Sequence, residues 1–532
     1  MPEGAAFVHR NGEESGQASI LEIVGGGVAI FDYDADGQLD LFFPGGGRFG
    51  AGRELVPLPG ALLRNAGDWR FARHEGEAGL NSPRRYNHGT AVGDHDNDGF
   101  PDLLITGYGG LQLYLNAGDG TYRDRTREAR LDDPLWSTSA AWGDFNGDGN
   151  LDLFVVHYVD WSFDNDPFCP AFDGRRRERC TPQRYGPLPE SLYLSRGDGT
   201  FADASQNSGL RRDGKGLGVV LADVDLDGDL DIYVANDTVQ NFLYCNDAHA
   251  HFEELGSAWG AAFNDRGAPD GSMGVAVTDY NLDGLPDLWV ANYEGETIAL
   301  YKNLGAAGFE HVSQRTGVAA VSDLAVGFGT LFFDADRDGD DDAVVVNGHV
   351  LLFPKNAPRR QLPLLFENLA GKKLVNVAPQ AGDYFCANHM GRGLARGDLD
   401  GDGDIDLAVA HLNEPIALLE NTTADPDAWL AVRLIGTTSN RDAVGARVTL
   451  HTSPAEKSSN VQSRQVTSGD SYLSHSDRML FWGVPRDISR DISGDISGGQ
   501  TAASLVIHWP SGRTQTISNL SLNRRLTIVE PD

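Results

Sequence analysis

The stretch Asp223-Val224-Asp225-Leu226-Asp227-Gly228-Asp229-Leu230-Asp231, followed by Ile232-Tyr233-Val234, decides the fold. Side-chain oxygens at positions 1, 3, 5 and 9, with a main-chain carbonyl at position 7, form a loop suited to a hard cation such as Ca²⁺. Glycine at position 6 permits the sharp turn between ligands. A helical calcium loop would place glutamate at position 12 and continue as a helix. Position 12 here is Val234, and the run that follows is apolar and β-branched, so the loop feeds a strand. The pattern is written seven times, beginning at Asp32, Asp94, Asp144, Asp223, Asp279, Asp334 and Asp398. Position 12 is apolar in every copy: Phe43, Ile105, Val155, Val234, Val290, Val345 and Val409.

The expected ligands follow from the register. The first loop offers Asp32, Asp34, Asp36, Gln38 and Asp40, and the second Asp94, Asp96, Asp98, Phe100 and Asp102. The third offers Asp144, Asn146, Asp148, Asn150 and Asp152; the fourth adds Asp229 as the carbonyl position to Asp223, Asp225, Asp227 and Asp231. The fifth has Asp279, Asn281, Asp283, Leu285 and Asp287. The sixth has Asp334, Asp336, Asp338, Asp340 and Asp342, and the seventh Asp398, Asp400, Asp402, Asp404 and Asp406. Up to seven Ca²⁺ ions are therefore expected.

Residues around each loop repeat as well. Five positions upstream stand Gly27, Gly89, Ser139, Gly218, Gly274, Gly329 and Gly393, where a backbone comes close to its neighbour. Each apolar strand leads to Leu-aromatic-x-Asn or a variant, as at Leu113–Asn116 and Leu300–Asn303, then a Gly-Asp-Gly turn and a short aromatic strand. Four strands per repeat make one propeller blade, and closing the ring removes exposed edges. The expected fold is all-β: a seven-bladed β-propeller with calcium loops over residues 1–424, plus a small C-terminal all-β domain over 425–532. The last repeat lacks its fourth strand, and Ala6-Phe7-Val8-His9 is expected to complete it.

The chain has 532 residues and a formal net charge of −34. That balance argues against nucleic acid as partner, because phosphate binding needs a basic stripe. No run reaches the roughly 18 apolar residues of a membrane span, and residues 1–20 have no basic or apolar leader pattern. Four cysteines form no Cys-x-x-Cys pair. Cys169 and Cys180 bracket part of an Arg- and Pro-rich insertion, Trp161 to Pro189, and a disulfide between them is the expectation. Arg486–Gly499 is a low-complexity tract built on Asp-Ile-Ser, read as a surface loop.

The calcium loops with their Leu-Tyr-x-Asn and Gly-Asp-Gly-Thr-Phe followers resemble the FG-GAP/VCBS repeats of integrin α-subunit propellers. Asn440-Arg441-Asp442-Ala443-Val444-Gly445-Ala446-Arg447-Val448, Gly469-Asp470-Ser471-Tyr472-Leu473-Ser474, Phe481-Trp482-Gly483 and Trp509-Pro510-Ser511-Gly512 resemble the ASPIC/UnbV domain. The combination is similar to the cartilage acidic protein family. That resemblance implies a secreted, calcium-binding repeat protein, extracellular or periplasmic, and leaves its activity open.

Outgoing strands of a propeller end on the face opposite the loops. Position 14 and its neighbours place His157, Asn236, Asp237, Asn292, Tyr293, Asn347, His349 and His411 there, while incoming strands add His88, His389 and Arg392. Such a mouth supports two readings. One is a calcium-binding scaffold for a protein, glycan or small-molecule partner. The other is an enzyme of lyase, cyclase or hydrolase type with a His/Asn/Tyr pocket, of the kind used in bacterial natural-product metabolism. No nucleophile elbow, P-loop or dinucleotide-binding glycine motif is present, so no catalytic residue is assigned.

Overall fold

A computed structural model describes residues 4–423, 428–452, 461–485 and 503–532. The chain is all-β, and seven antiparallel sheets follow one another along residues 29–419. Each acidic loop joins the first two strands of its sheet, for example Gly216–Ala222 to Asp231–Asn236 and Val275–Thr278 to Asp287–Val290. The second strands are buried on both faces, as their unbroken apolar runs require. The first strands adjoin one another in sequence, and Gly391–Gly397 of the last sheet lies beside Ala29–Phe31 of the first. The result is a closed, propeller-like ring.

Glycine is what lets these first strands meet. A Cβ on Gly218 would stand 2.2 Å from the Met273 carbonyl, on Gly274 2.0 Å from Phe328, on Gly329 2.5 Å from Arg392, and on Gly393 2.3 Å from Gly26. Each contact is to the next sheet around the axis. The repeat's one exception, Ser139, donates its hydroxyl to the Leu217 carbonyl at 2.6 Å.

On the loop face the sheets are joined by the recurring asparagine. Asn116 Nδ2 donates to Tyr33 O, Asn246 to Phe145 O, Asn303 to Val224 O, Asn368 to Tyr280 O and Asn421 to Ala335 O, at 2.8–3.0 Å. Asn65 closes the circle by donating to Leu399 O of the seventh sheet at 2.7 Å. Every acceptor is the second residue of the preceding sheet's acidic loop. Ser195 holds this place in the third sheet and is too short to reach.

The seventh sheet has three strands, Gly391–Gly397, Asp406–His411 and Ala417–Leu419. The N-terminal segment does not add a fourth, contrary to the expectation for Ala6–His9. Val8 and His9 form isolated bridges to Pro415 and Leu412, and Phe7 O accepts from Ile416 N at 3.1 Å. Phe7 instead packs on Phe43, 5.9 Å between ring centroids, in the core between the first and seventh sheets. Burying that ring there directs the following residues across the mouth.

The C-terminal strands form a three-stranded sheet, with Ala428–Ile435 at its centre, and a four-stranded one. Leu430, Val432, Val448, Trp482, Leu505, Ile507 and Trp509 fill the space between them. This unit lies on the loop face: Arg441 pairs with Asp94 at 3.4 Å, Arg525 with Asp398, and Gly483 N donates to Asp334 Oδ2 at 3.0 Å. The boundary expected at 424/425 and the Asp-Ile-Ser tract lie outside the described residues.

One segment of this unit leaves it and enters the ring. Ser468–Asp477 runs down the axis and bonds the first strand of all seven sheets. Main-chain bonds join Ile30 N to His475 O (3.0 Å), Thr90 N to Leu473 O (3.0 Å), Asp470 N to Val219 O (2.9 Å), Val275 N to Ser471 O (3.0 Å) and Asp477 N to Arg396 O (3.1 Å). The hydroxyls of Ser468, Ser471, Ser474 and Ser476 accept from Trp142 N, Thr330 N, Val28 N and Arg396 N. Ser139 Oγ in turn accepts from Leu473 N. Gly469, Asp470, Ser471 and Leu473 all have positive φ, between 56° and 80°, which folds the segment tightly enough to fit. Among the described residues no helix is long and apolar enough to cross a membrane.

Two outcomes are expected. Asn116→Ala strands buried carbonyls of two sheets and should cost about 1–3 kcal/mol in denaturant unfolding, whereas Ser195→Ala, which removes no link between sheets, should cost less. A protease site placed between residues 423 and 428 should be cut without separating the products. The two fragments should co-elute in size exclusion under native conditions, because the axial segment holds them together; separation would refute that role.

Candidate functional site

The acidic loops share one geometry. The position 1 carboxylate accepts from the main-chain N–H of position 6 in all seven, as in Gly99 to Asp94 at 2.8 Å and Gly228 to Asp223 at 3.1 Å. The position 5 aspartate accepts from the N–H of position 7, from Gln38 through Asp404. These bonds curl the chain so that carboxylates converge. In the loops at Asp32, Asp94 and Asp223, oxygens of positions 1, 3 and 5 lie within 4.8 Å of one another. The donor set is all oxygen, which suits a hard divalent cation.

Position 9 has a second duty. Asp102 accepts from His95 N and Asn116 N, Asp152 from Phe145 N and Ser195 N, and Asp342 from Ala335 N and Asn368 N. Burial pushes these carboxyls up, to about 8 for Asp40, Asp152 and Asp406 and about 9 for Asp342, although the main-chain donors pull the other way. Several loops also carry a cationic neighbour: Arg64 pairs with Asp34 and Asp36 at 2.6 and 2.7 Å, and Lys302 with Asp283 at 3.0 Å.

The mouth differs from the expected ring of free polar groups. Position 14 residues cap the next turn of their own sheet. His157 donates to Pro189 O, Asn236 to Gln240 O, Asn292 to Thr297 O, Asn347 to Leu362 O and His411 to Pro415 O, at 2.5–3.0 Å. His157 also faces Asp133 at 3.1 Å; burial raises that carboxyl, but the imidazole outweighs it and holds it at about 2. His411 meets the Tyr384 hydroxyl at 2.9 Å and stacks on His389, 5.1 Å between centroids. His389 Nε2 donates to the Tyr384 carbonyl at 3.1 Å.

The incoming residues are packed as well. His88 accepts from Trp136 Nε1 at 2.9 Å, and burial lowers it to about 3. Burial lowers His349 and His411 to about 4. All three are therefore neutral near pH 7. Arg392 is fully buried, donates to Ile23 O, Gly348 O and Gly391 O, and lies 3.7 Å from the Phe328 ring centroid. These residues build the wall and do not form a titrating pair.

Two segments cover the mouth. Residues 9–24 cross it, with a short 3₁₀ turn at Ile20–Ile23 held by a Ser19/Glu22 capping box. Ile20, Leu21 and Val24 are buried against Trp136, Tyr158, Trp161 and Tyr472. The insertion, stapled by a Cys169–Cys180 disulfide, contributes Arg179, which pairs with Glu22 at 3.1 Å and Glu13 at 2.8 Å and donates to Val350 O at 2.6 Å. Sequence reasoning assigned nothing to residues 10–24, although Ser19-x-x-Glu22 is a legible capping pattern.

Between the covers remains a cavity of about 250 Å³. Ile23, Val24, Leu217, Met273 and Phe328 give it an apolar wall, and Arg179, Cys180 and Pro182 of the insertion form one side. Of the expected mouth residues, Asp237 and Tyr293 line it; Glu296 and Tyr472 were not foreseen. Tyr472 is carried there from the loop face by the axial segment. Asp237 Oδ2 accepts from the Tyr158 hydroxyl, and burial followed by repulsion from Glu296 outweighs that bond, lifting Asp237 to about 7.

Comparison with known proteins defines the class. Residues 94–155, 189–234, 223–290 and 279–345 match the FG-GAP-like repeat, and residues 436–532 match ASPIC and UnbV. The chain thus combines FG-GAP repeats with an ASPIC/UnbV domain. In particular, it is similar to cartilage acidic protein 1 of Mus musculus, 24% identical over 513 residues covering 85% of this chain and 75% of that protein. Cartilage acidic protein 1 of Xenopus tropicalis is 24% identical over 520 residues, covering 85% and 74%. Among solved structures, an Agrocybe aegerita lectin described for recognition of non-reducing terminal N-acetylglucosamine is 15% identical (75% of this chain, 91% of that chain, TM-score 0.37). BBS1N in complex with ARL6DN is 11% identical (80% and 99%, TM-score 0.38). Scores this low decide nothing about the site.

Arg179→Met should leave Glu22 buried without its partner and destabilise the protein by roughly 3–5 kcal/mol. Adding Glu22→Gln to that variant should restore part of the loss in thermal unfolding. A fully additive double variant would show that the pair is not coupled.

Proposed function

We propose that the protein is a calcium-rigidified binding scaffold, a seven-bladed propeller that takes its partner at the face opposite the acidic loops. The observation that carries this reading is the division of the two faces. The loop face is covered by the ASPIC/UnbV unit, whose Arg441 and Arg525 contact loop carboxylates. The mouth keeps a shaped cavity with an apolar wall and a few polar groups, the usual form of a small-molecule or side-chain pocket.

Calcium fits the loops by donor chemistry: carboxylate oxygens at positions 1, 3 and 5 that already converge, with position 9 beside them. Its role is structural. Position 9 carboxylates also hold the N–H of the residues that join one sheet to the next, so an ion in the loop stiffens the ring itself. Extracellular or periplasmic residence agrees with the Cys169–Cys180 disulfide. The enzyme reading has less support, because His88, His157, His349 and His411 are all engaged in structural bonds.

Removing calcium with a chelator should lower the melting temperature, and added calcium should restore it. Each ion at about 100 times its dissociation constant contributes about 2.7 kcal/mol. Unchanged melting, with no metal found by elemental analysis of dialysed protein, would exclude the structural role. Crystals soaked with a mixed fragment set should show occupancy in the cavity beside Asp237 and Tyr293; occupancy confined to the loop face would overturn the site.

A further inference from the structure

Resting on that reading of the mouth, we propose that the cavity selects an organic ammonium: a protonated amine with a compact apolar or aromatic body. Two carboxylates and a glycine define one end of the cavity. A Cβ on Gly271 would stand 3.1 Å from Asp237 Oδ1, 3.2 Å from the Tyr293 Cβ and 3.4 Å from Glu296 Oε2. The missing side chain is what allows three groups from neighbouring sheets to converge on one point. Glu296 accepts from main-chain N–H groups, Gly271 N at 2.7 Å among them, and Asp237 Oδ2 accepts from the Tyr158 hydroxyl.

Neither carboxylate has an ion-pair partner within 4.0 Å among the described residues. The nearby cations are already committed. Lys215 Nζ donates to the Pro182 carbonyl at 2.7 Å, and Arg179 is held between Glu13 and Glu22. Two acidic groups thus face a cavity whose remaining wall is apolar, an arrangement that costs free energy until a cation enters.

The rest of the wall suits the body of such a ligand. Phe328, Tyr293 and Tyr472 present aromatic surface, which attracts ammonium groups through the ring quadrupole. The Tyr472 hydroxyl is buried beside the Gly25 main chain, and the residue adds its ring to the wall. At about 250 Å³ the cavity sits just below the ~300 Å³ at which drug-sized pockets begin, so the ligand is a small amine or the end of an amine-bearing chain.

The test is isothermal titration of the full-length, calcium-saturated protein with 2-phenylethylamine, 2-phenylethanol and 3-phenylpropanoate. The amine should bind at least tenfold more tightly than the alcohol, and the carboxylate should not bind. Asp237→Asn and Glu296→Gln should each weaken the amine about tenfold and leave any alcohol binding unchanged, with near-ultraviolet circular dichroism confirming the fold of each variant. Equal affinity for amine and alcohol, or amine affinity untouched by both variants, would overturn the selection of ammonium while leaving the mouth as a binding face. Failure of all three probes at millimolar concentration, together with an empty cavity in the fragment soak, would overturn both.

Discussion

A ring of seven sheets has a problem at its centre. The first strand of each sheet turns main-chain donors and acceptors toward an axis that its neighbours make too narrow for ordinary side chains, as Gly218, Gly274, Gly329 and Gly393 attest. Buried N–H and C=O groups without partners cost about 1–3 kcal/mol each, so the axis must be filled by something that bonds in many directions at once. Ser468–Asp477 does this with an irregular backbone and four serine hydroxyls, each accepting from a different sheet. A regular strand could not serve, because it would bond to two neighbours only. The four positive-φ residues between Gly469 and Leu473 are the conformational cost of addressing all seven.

The loop face solves a matching problem at larger radius. There the sheets splay apart, and in six of the seven an asparagine at the end of the third strand spans the gap to the preceding loop. The same strand end gives its N–H to the position 9 aspartate, so a loop, its own sheet and the neighbouring sheet share one bonded cluster. Clustered aspartates repel one another, and burial raises the position 9 carboxyls above their ordinary range. A divalent cation, as proposed for these loops, would relieve both strains.

How much of this was legible depends on whether a feature repeats. The acidic loops, the glycines at the axis and the joining asparagines were each visible because they occur many times in register. Gly469–Ser474 is visible in the sequence as a motif, yet the contacts of the axial segment reach across 80 residues from Arg396 to Ser476 and across 446 from Val28 to Ser474, and no periodicity announces such contacts. The path of residues 9–24 was missed for the same reason. Ala6–His9 was misplaced because the burial of Phe7 against Phe43 takes precedence over strand pairing.

The mouth carries the most useful lesson. His157, Asn236, Asn292, Asn347 and His411 drew attention because one position kept offering polar side chains. A residue type that recurs in five successive sheets answers a need those sheets share, and here the need is a capped turn. A pocket for one ligand has no such symmetry. It must be built from residues that depart from the repeat: Asp237 rather than a tyrosine beside position 14, Glu296 in a turn of the fifth sheet, bare Gly271, and Tyr472 brought through the ring. In a repeat protein, recurrence marks what holds the ring together, and selectivity resides where recurrence fails.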